Sequence, residues 1–525
     1  MAVATLGSRV AGFARVLVLS AALGLGSHLL DSYNLANTLP NTVYELAVGG
    51  AMASVVVPLL TRAALDESDK GVAYAQRLLS MITYGLVAVT VVATLFAPFL
   101  VELYTPGFTA DQRQPAVVFT RFFLPQILFY GVSAATGAVL NIRGRFAVPM
   151  WAPSANSLIV IAVGSLYLLA SGTTGAHELT TAQLLLLGVG TSAGVFAQMS
   201  LVLWALARSG FPVRLRFDLR GVGFRRIGRL GGWMLLSVAA AQLLFTVATR
   251  SASISVGGIS AFQNAWALFQ LPFAVITVSV MTALLPRLSR SAARMDHRGI
   301  TDDLSLAIRL ASVAIAPVAA AMVVLGPQIA TLLFAHGRST ASTVGLVGVL
   351  MAGFGLAVVP FTGYSIMLRG FYAMQDTKTP ALISSAVSLV GVAGCLTAVE
   401  LLTPRQILIA VPIAYAAAYT TGLVIAGVVL RHRLGRIDGR RLVGTHARVL
   451  VAAAAAATVA AASARLVTAL AGPAWTAAPL VLVVAGLLGA VTYAIAARLL
   501  GLGEFRRLVA TATAGFRTGS PRPGG

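Results

Sequence analysis

The residues of this 525-residue chain whose types could do chemistry are ionisable and amide side chains set inside apolar stretches. They concentrate between Ser8 and Arg62, where two apolar segments are joined by a short polar turn around His28 to Ser32. Arg9, Arg15, Asn34, Asn37, Asn41 and Glu45 all fall at or within those segments. Charge at membrane depth is costly, so such groups normally face a bundle interior or a watery cavity. The chemistry on offer is recognition of an anion. A guanidinium fork donates two parallel charge-assisted hydrogen bonds, a geometry suited to pyrophosphate.

Each residue also has a plainer reading. Arg9 either lines the cavity or snorkels to the nearer surface, whereas Arg15 lies deeper and is expected to face the cavity. Glu45 is either a partner of Arg15 within the site or half of a structural ion pair. Arg250, near the outer end of the seventh apolar span, is a second cavity cation or an interfacial anchor, and Arg121 in the fourth span fits the anchor. Gln263, Asn264 and Gln270 form a polar strip ahead of Pro272 that either lines the cavity or packs between helices. Asn141 and Asn156 suit hydrogen bonds between helices.

No bond-making constellation accompanies them. The sequence holds no CxxC, no HExxH and no GxxxxGK[ST], and its six His residues are never paired at metal-ligand spacing. We therefore expect neither an enzyme nor a bound metal or cofactor; membrane potential or an ion gradient would supply any energy. The sole cysteine, Cys395, excludes an intramolecular disulfide, and its apolar neighbours point to a buried thiol. A formal net charge of +22 would suggest nucleic acid in a soluble protein. Here the arginines sit in short connections between apolar spans, with no compact basic domain, so nucleic acid is not an expected partner.

Membrane helices must position these groups. The chain is 58% hydrophobic and 10% charged, against about 25% charge in soluble domains. Allowing about 20 residues per span, we read an all-α integral membrane protein of about fourteen transmembrane helices. They lie near residues 9–31, 38–62, 75–103, 116–143, 149–171, 181–208, 227–253, 259–288, 303–334, 342–369, 379–402, 405–430, 443–471 and 475–500. Connections rich in Arg alternate with connections poor in it, which by the positive-inside rule places both termini in the cytoplasm. Arg replaces Lys nearly everywhere, Lys70 and Lys378 excepted, a bias of GC-rich bacterial genomes.

An internal repeat divides the chain. VVVPLLTRAALDESDKG, ending the second span, parallels ALLPRLSRSAARMDHRG, ending the eighth, so that Pro58 matches Pro286 and Arg62 matches Arg290. LNIRGRFAVP, with Arg143, likewise parallels IMLRGFYAMQDTKTP, with Arg369. Six spans separate the copies, which gives two parallel six-helix lobes, a common transporter plan. The resulting divisions are 1–208 for the N-terminal lobe, 209–226 for a basic cytoplasmic linker and 227–430 for the C-terminal lobe. Two extra C-terminal helices occupy 431–504, and 505–525 is expected to be a disordered basic tail.

SRVAGFAR, the LPN at Leu39 to Asn41, GGAMASVVVPLL, TALLPRLSR and RGFYAMQDTKTP, in this order, resemble the MurJ (MviN) lipid II flippases. The resemblance runs from about Ser8 to Leu430. It implies a multidrug/oligosaccharidyl-lipid/polysaccharide exporter fold with a central cavity and a lipid-facing groove on the last two helices. It also implies a bacterial plasma-membrane protein that moves lipid II, undecaprenyl-pyrophosphoryl-disaccharide-pentapeptide, from the inner to the outer leaflet for peptidoglycan synthesis. Arg9 and Arg15 match the family's first-helix cavity arginines, and Asp31 matches an acidic residue at the outer end of that helix.

The chain departs from the family pattern at Val16, at Tyr44 and Glu45, at Gly49 and at Ala267, where members carry charged residues; Arg250 is the candidate replacement. No sodium site is implied. Membrane lipids and cell-wall synthesis proteins are the further partners expected. The rival functions are a flippase for another polyprenyl-linked glycan, a cation or drug antiporter, and a non-transporting scaffold for wall synthesis. Embedded carboxylates, which an antiporter needs, are scarce, and a scaffold has no need of buried charge.

Overall fold

The computed structural model describes residues 2–49, 60, 71–171, 179–216, 224–435, 438–472 and 477–517, and among them there are helices and no strands. Long runs of Ala, Val and Leu favour this outcome, because a helix satisfies its own backbone groups where no water can. Pro58, Arg62 and Gly50, residues 217–223 of the linker and 518–525 of the tail lie outside the described residues.

The N-terminal helices are α1 (Ala2–Leu23), α2 (His28–Tyr44), α3 (Val72–Leu95), α4 (Ala97–Tyr104), α5 (Ala110–Phe123) and α6 (Gln126–Ile142). They are followed by α7 (Ala147–Ser171), α8 (Thr181–Arg208) and α9 (Phe224–Ala252). Next come α10 (Gly258–Pro272), α11 (Val278–Ala293), α12 (His297–Phe334) and α13 (Ala341–Ala373). The chain continues with α14 (Lys378–Leu401), α15 (Pro404–Leu434), α16 (Gly439–Ala471), α17 (Ala478–Leu499) and α18 (Gly503–Arg517).

Twelve described helical stretches are long and apolar enough to cross a membrane. The first pair lies outside those twelve: α2 has 17 residues and carries Asp31, Asn34, Asn37 and Asn41. The third and fourth expected spans are broken helices. The third is interrupted at Phe96 between α3 and α4, and the fourth at Leu124 and Pro125 between α5 and α6.

Two expectations need correction. The turn expected around His28 to Ser32 lies earlier, at Gly24 to Ser27, and His28 already belongs to α2. Ser27 begins that helix because its hydroxyl accepts from the Leu30 N–H at 3.1 Å. The stretch from Phe505, expected to be disordered, is helical as far as Arg517. An ion pair between Glu504 and Arg309 of α12, with both side chains mostly buried, fixes its start.

Each of two corresponding helices relaxes into a π-helical turn. Glu45–Gly49 continues α2 and Phe273–Thr277 continues α10. The two turns stand 228 residues apart, the same offset that separates Pro58 from Pro286 in the sequence repeat. A π segment frees backbone groups and is common at functional sites.

The helices group into two compact units, residues 1–263 with 334–343, and residues 264–333 with 344–525. In the first, α7 packs on α1 and α8, α2 on α5, and α3 and α8 on α6. Its principal core gathers Leu78, Leu86, Leu124, Ile127, Leu140 and Leu206. In the second, α14 packs on α15 and α16 on α17. The last pair approaches closely because Ala452, Ala456, Ala460 and Ala464 recur every fourth residue and are buried, opposite Ala485, Gly489 and Ala497.

Candidate functional site

Asp31 is the acceptor of three hydrogen bonds within the first unit. It lies in the first turn of α2 and is 1% exposed. Oδ2 accepts from the Gly257 N–H at 2.7 Å, and Oδ1 accepts from the Ser260 N–H at 2.9 Å and the Ser260 hydroxyl at 2.6 Å. A carboxylate thus caps the N-terminus of α10, where unpaired N–H groups and the helix dipole favour negative charge. Asn34 extends the contact by donating to the Ser260 hydroxyl at 3.1 Å, and Gln263 donates to the Thr38 hydroxyl at 3.0 Å.

The backbone around this latch is shaped by glycine. Gly257 has φ +74°, and a Cβ there would lie 2.7 Å from the Cα of Gly26. Gly26 has φ +100°, and its own Cβ would lie 2.3 Å from the Thr340 hydroxyl. Residues 334–343, which belong to the same unit, interlock with this turn. The Thr340 N–H donates to Leu25 O at 2.8 Å and the Arg338 N–H to Ala21 O at 3.0 Å. The Arg338 guanidinium donates to Ser171 O at 2.8 Å and rests over the Tyr167 ring. One end of α1, α2 and α10 is therefore tied together by hydrogen bonds across more than 200 residues of sequence.

Arg15 occupies a different environment, farther along α1. It is half-buried and makes no hydrogen bond or ion pair with the described residues. Its charge acts on the hydroxyls of Tyr33 and Tyr130. Tyr33 shares a hydrogen bond of 2.7 Å with Thr191, and Asn156 is a polar neighbour of Tyr130. Asn156 is 5% exposed, and its Oδ1 has no hydrogen-bond partner among the described residues. A cation without a counter-ion beside neutral hydroxyls retains its attraction for an incoming anion.

The other candidates separate. Arg9 is exposed, which either of its two readings allows. Glu45 is half-buried at the start of the π turn and does not pair with Arg15; no ion pair joins it to any described residue. Arg250 is exposed, and its Nη1 donates to Leu103 O at 2.9 Å, which ties the end of α9 to α4. Arg121 is exposed as well. Asn264 is 3% exposed and Gln270 half-buried, both in the second unit. Gln263 is spent on Thr38, and Asn141 is exposed rather than buried between helices.

The sequence reading missed Gly257 and Ser260 as the partners of Asp31, and Tyr33 and Tyr130 as the neighbours of Arg15. Nothing local to Gly257 names an acid 226 residues away. No group of three or more potential metal ligands occurs among the described residues.

A bundle of bilayer-length helices, a polar helix pair, a cation with no partner among the described residues and a buried carboxylate contact fit a helical membrane transporter of multiple spans, not a catalytic enzyme. The chain belongs to the MurJ lipid II flippase family, whose model matches residues 19–483. It is 29% identical over 410 residues to the probable lipid II flippase MurJ of Rhizobium meliloti, covering 75% of this chain and 73% of that one. To the lipid II flippase MurJ of Burkholderia cenocepacia it is 28% identical over 394 residues, 74% of each chain. A solved structure of lipid II flippase MurJ in an inward closed conformation superposes with TM-score 0.74 at 18% identity, covering 95% of this chain and 99% of that one. An inward-facing multidrug resistance MATE transporter of the MOP superfamily follows the same fold with TM-score 0.67 at 14% identity, over 82% and 96% of the two chains.

Proposed function

We propose that this chain carries lipid II from the inner to the outer leaflet of the bacterial plasma membrane by alternating access. Membership of the flippase family supports the cargo, and the observation that carries the mechanism is the half-buried Arg15, which has no partner among the described residues. Arg15 clamps the pyrophosphate, with Arg9 meeting it at the entrance. While the cargo is held from the cytoplasmic side, the Asp31 contact with Gly257 and Ser260 keeps the outer end shut. Release requires those three hydrogen bonds to part, and the π turns at Glu45–Gly49 and Phe273–Thr277 give α2 and α10 a place to bend.

The two six-helix lobes of the sequence repeat rock about the bound headgroup, while the polyprenyl tail stays in lipid beside the C-terminal helices. Both termini lie in the cytoplasm, and membrane potential or an ion gradient resets the cycle without a bound cofactor. Membrane lipids and wall-synthesis enzymes are the remaining partners. A second cargo reading, another polyprenyl-linked glycan, is favoured by the uncharged residues at Val16, Tyr44, Gly49 and Ala267.

Depletion of the chain, with an external lipid II-cleaving bacteriocin reporting the outer-leaflet pool, tests the proposal. The accessible pool should collapse while the inner pool rises. An unchanged accessible pool would transfer the chain to another cargo.

A further inference from the structure

A second polar site lies wholly within the second unit. The start of α12, the end of α15, the start of α16 and the turn from α17 to α18 surround a cavity of about 1070 Å³. That exceeds the space of a lone ion and lies just above the range of about 300–1,000 Å³ of pockets that take small organic ligands. Its wall is strongly basic. Arg298, Arg309, Arg440, Arg441 and Arg448 all reach it.

The acids of the wall are largely spent. Glu504 pairs with Arg309, and Asp438 lies 3.6 Å from Arg441 and accepts from the Ser305 hydroxyl at 3.4 Å. Arg298, Arg440 and Arg448 have no hydrogen bond or ion pair with the described residues, leaving three guanidiniums against the exposed carboxylate of Asp302. They come from two helices, α12 and α16, and all three are exposed at the rim of the same space. Like charges gathered around one cavity repel, and an anion accepting from several of them relieves that repulsion.

The surroundings favour a lipid as the source of the anion. On α16, Val443 and Leu450 are each 71% exposed, and Leu499 at the end of α17 is 82% exposed. Apolar side chains this open on bilayer-length helices face acyl chains. The basic cavity therefore opens where lipid tails end, on the side that the arginine bias places in the cytoplasm.

We propose that this cavity binds the phosphate of an anionic phospholipid headgroup from the cytoplasmic leaflet, held by Arg298, Arg440 and Arg448. The ligand links α12 to the C-terminal helix α16 and does not depend on which cargo the protein transports.

The test uses the full chain purified in detergent. Native mass spectrometry compares retention of dioleoyl-phosphatidylglycerol and dioleoyl-phosphatidylcholine, and a thermal melt with inorganic pyrophosphate reports a soluble anion. Wild type should retain phosphatidylglycerol roughly tenfold better than phosphatidylcholine, as expected for several arginines at a lipid surface. The combined Arg298→Gln, Arg440→Gln and Arg448→Gln variant should lose that preference. The matching Arg→Lys triple keeps the charge and should retain most of it, which separates lost binding from lost folding. A control triple of equal charge loss, Arg145→Gln, Arg294→Gln and Arg405→Gln, should stay within about twofold of wild type. If only pyrophosphate acts, raising the melting temperature of wild type and not of the cavity triple, a soluble phosphate compound is the ligand and the lipid assignment is overturned. If the cavity and control triples lose equally, or neither loses, the site itself is overturned.

Discussion

Asp31 is buried and accepts three hydrogen bonds from residues more than 200 positions away, and Asp31→Ala measures what it holds. The substitution removes a buried carboxylate that accepts from two backbone N–H groups and one hydroxyl at 2.6–2.9 Å. Hydrogen bonds to a charged group contribute about 1.5–3 kcal/mol each. Water entering the vacated space recovers part of this, so a net loss of about 3 kcal/mol is a conservative value for the closed arrangement. If the contact holds the outer end shut, the open population rises about 100-fold. Ala36, on α2 and 0% exposed, offers a reporter. In an Ala36→Cys background, a membrane-impermeant maleimide applied outside cells should label Asp31→Ala protein at least ten times faster than its parent. Cys395 is also 0% exposed and lies in the other unit, so its labelling reports general unfolding and should not change. Equal labelling of the introduced thiol in the two proteins would refute the latch, and equal acceleration at Cys395 would show that Asp31 merely stabilises the fold.

Three further outcomes follow from the same geometry. Gly257→Ala should lower the melting temperature by an amount equivalent to at least about 2 kcal/mol, because φ is +74° and the new methyl would meet the Gly26 Cα at 2.7 Å, where backbone has to move. Arg309→Ala should speed tryptic cleavage of α18, since it leaves the Glu504 carboxylate, 11% exposed, without its cation, and breaking such a pair costs about 3–5 kcal/mol. Asp376, in the turn after α13, sets an acid-side dependence. Burial alone would raise its carboxyl, but the Thr379 hydroxyl and N–H and the Arg433 guanidinium outweigh burial and hold it below the usual carboxylate range. A depressed folded value contributes stability that is complete above the unfolded value of about 4 and is lost as pH falls through the lower folded value. The melting-temperature gap between wild type and Asp376→Asn should accordingly be constant above about pH 5 and close below about pH 4.

The polar helix pair was legible because charge inside an apolar run violates the energetics of a bilayer, and a violation is readable one residue at a time. Arg15 was singled out in this way, whereas Asp31 was a candidate only through the family resemblance. Their surroundings were not legible, because hydrogen-bond partners such as the Gly257 N–H carry no residue-type signal and Tyr33 and Tyr130 resemble any membrane tyrosine. The helix break was misplaced for a related reason. Polarity pointed to His28 and Ser32, whereas the chain turns where Gly24 and Gly26 allow positive φ. Helix α18 escaped notice because its basic composition reads as a tail until Glu504 meets Arg309, 195 residues away.

The motif RGFYAMQDTKTP was recognisable, but its work became visible only in three dimensions. Arg433 of α15 reaches back to Asp376 Oδ2 at 2.5 Å and the Thr379 hydroxyl at 2.7 Å, and its guanidinium lies 5.5 Å from the Phe371 ring. The motif is thus a clamp between helices, and the arginine that completes it lies outside the motif. Arg250 shows the converse case, a conspicuous charge whose guanidinium is occupied by the carbonyl of Leu103.

The central claim is that the Asp31–Ser260 contact must open for lipid II to reach the outer leaflet. Locking it with a disulfide between Asp31→Cys and Ser260→Cys tests that claim most directly, because the two side chains already meet at 2.6 Å. In cells depending on this variant, oxidant should abolish the bacteriocin-accessible lipid II pool and reductant should restore it within the same culture. A locked protein that still maintains the accessible pool would contradict the account.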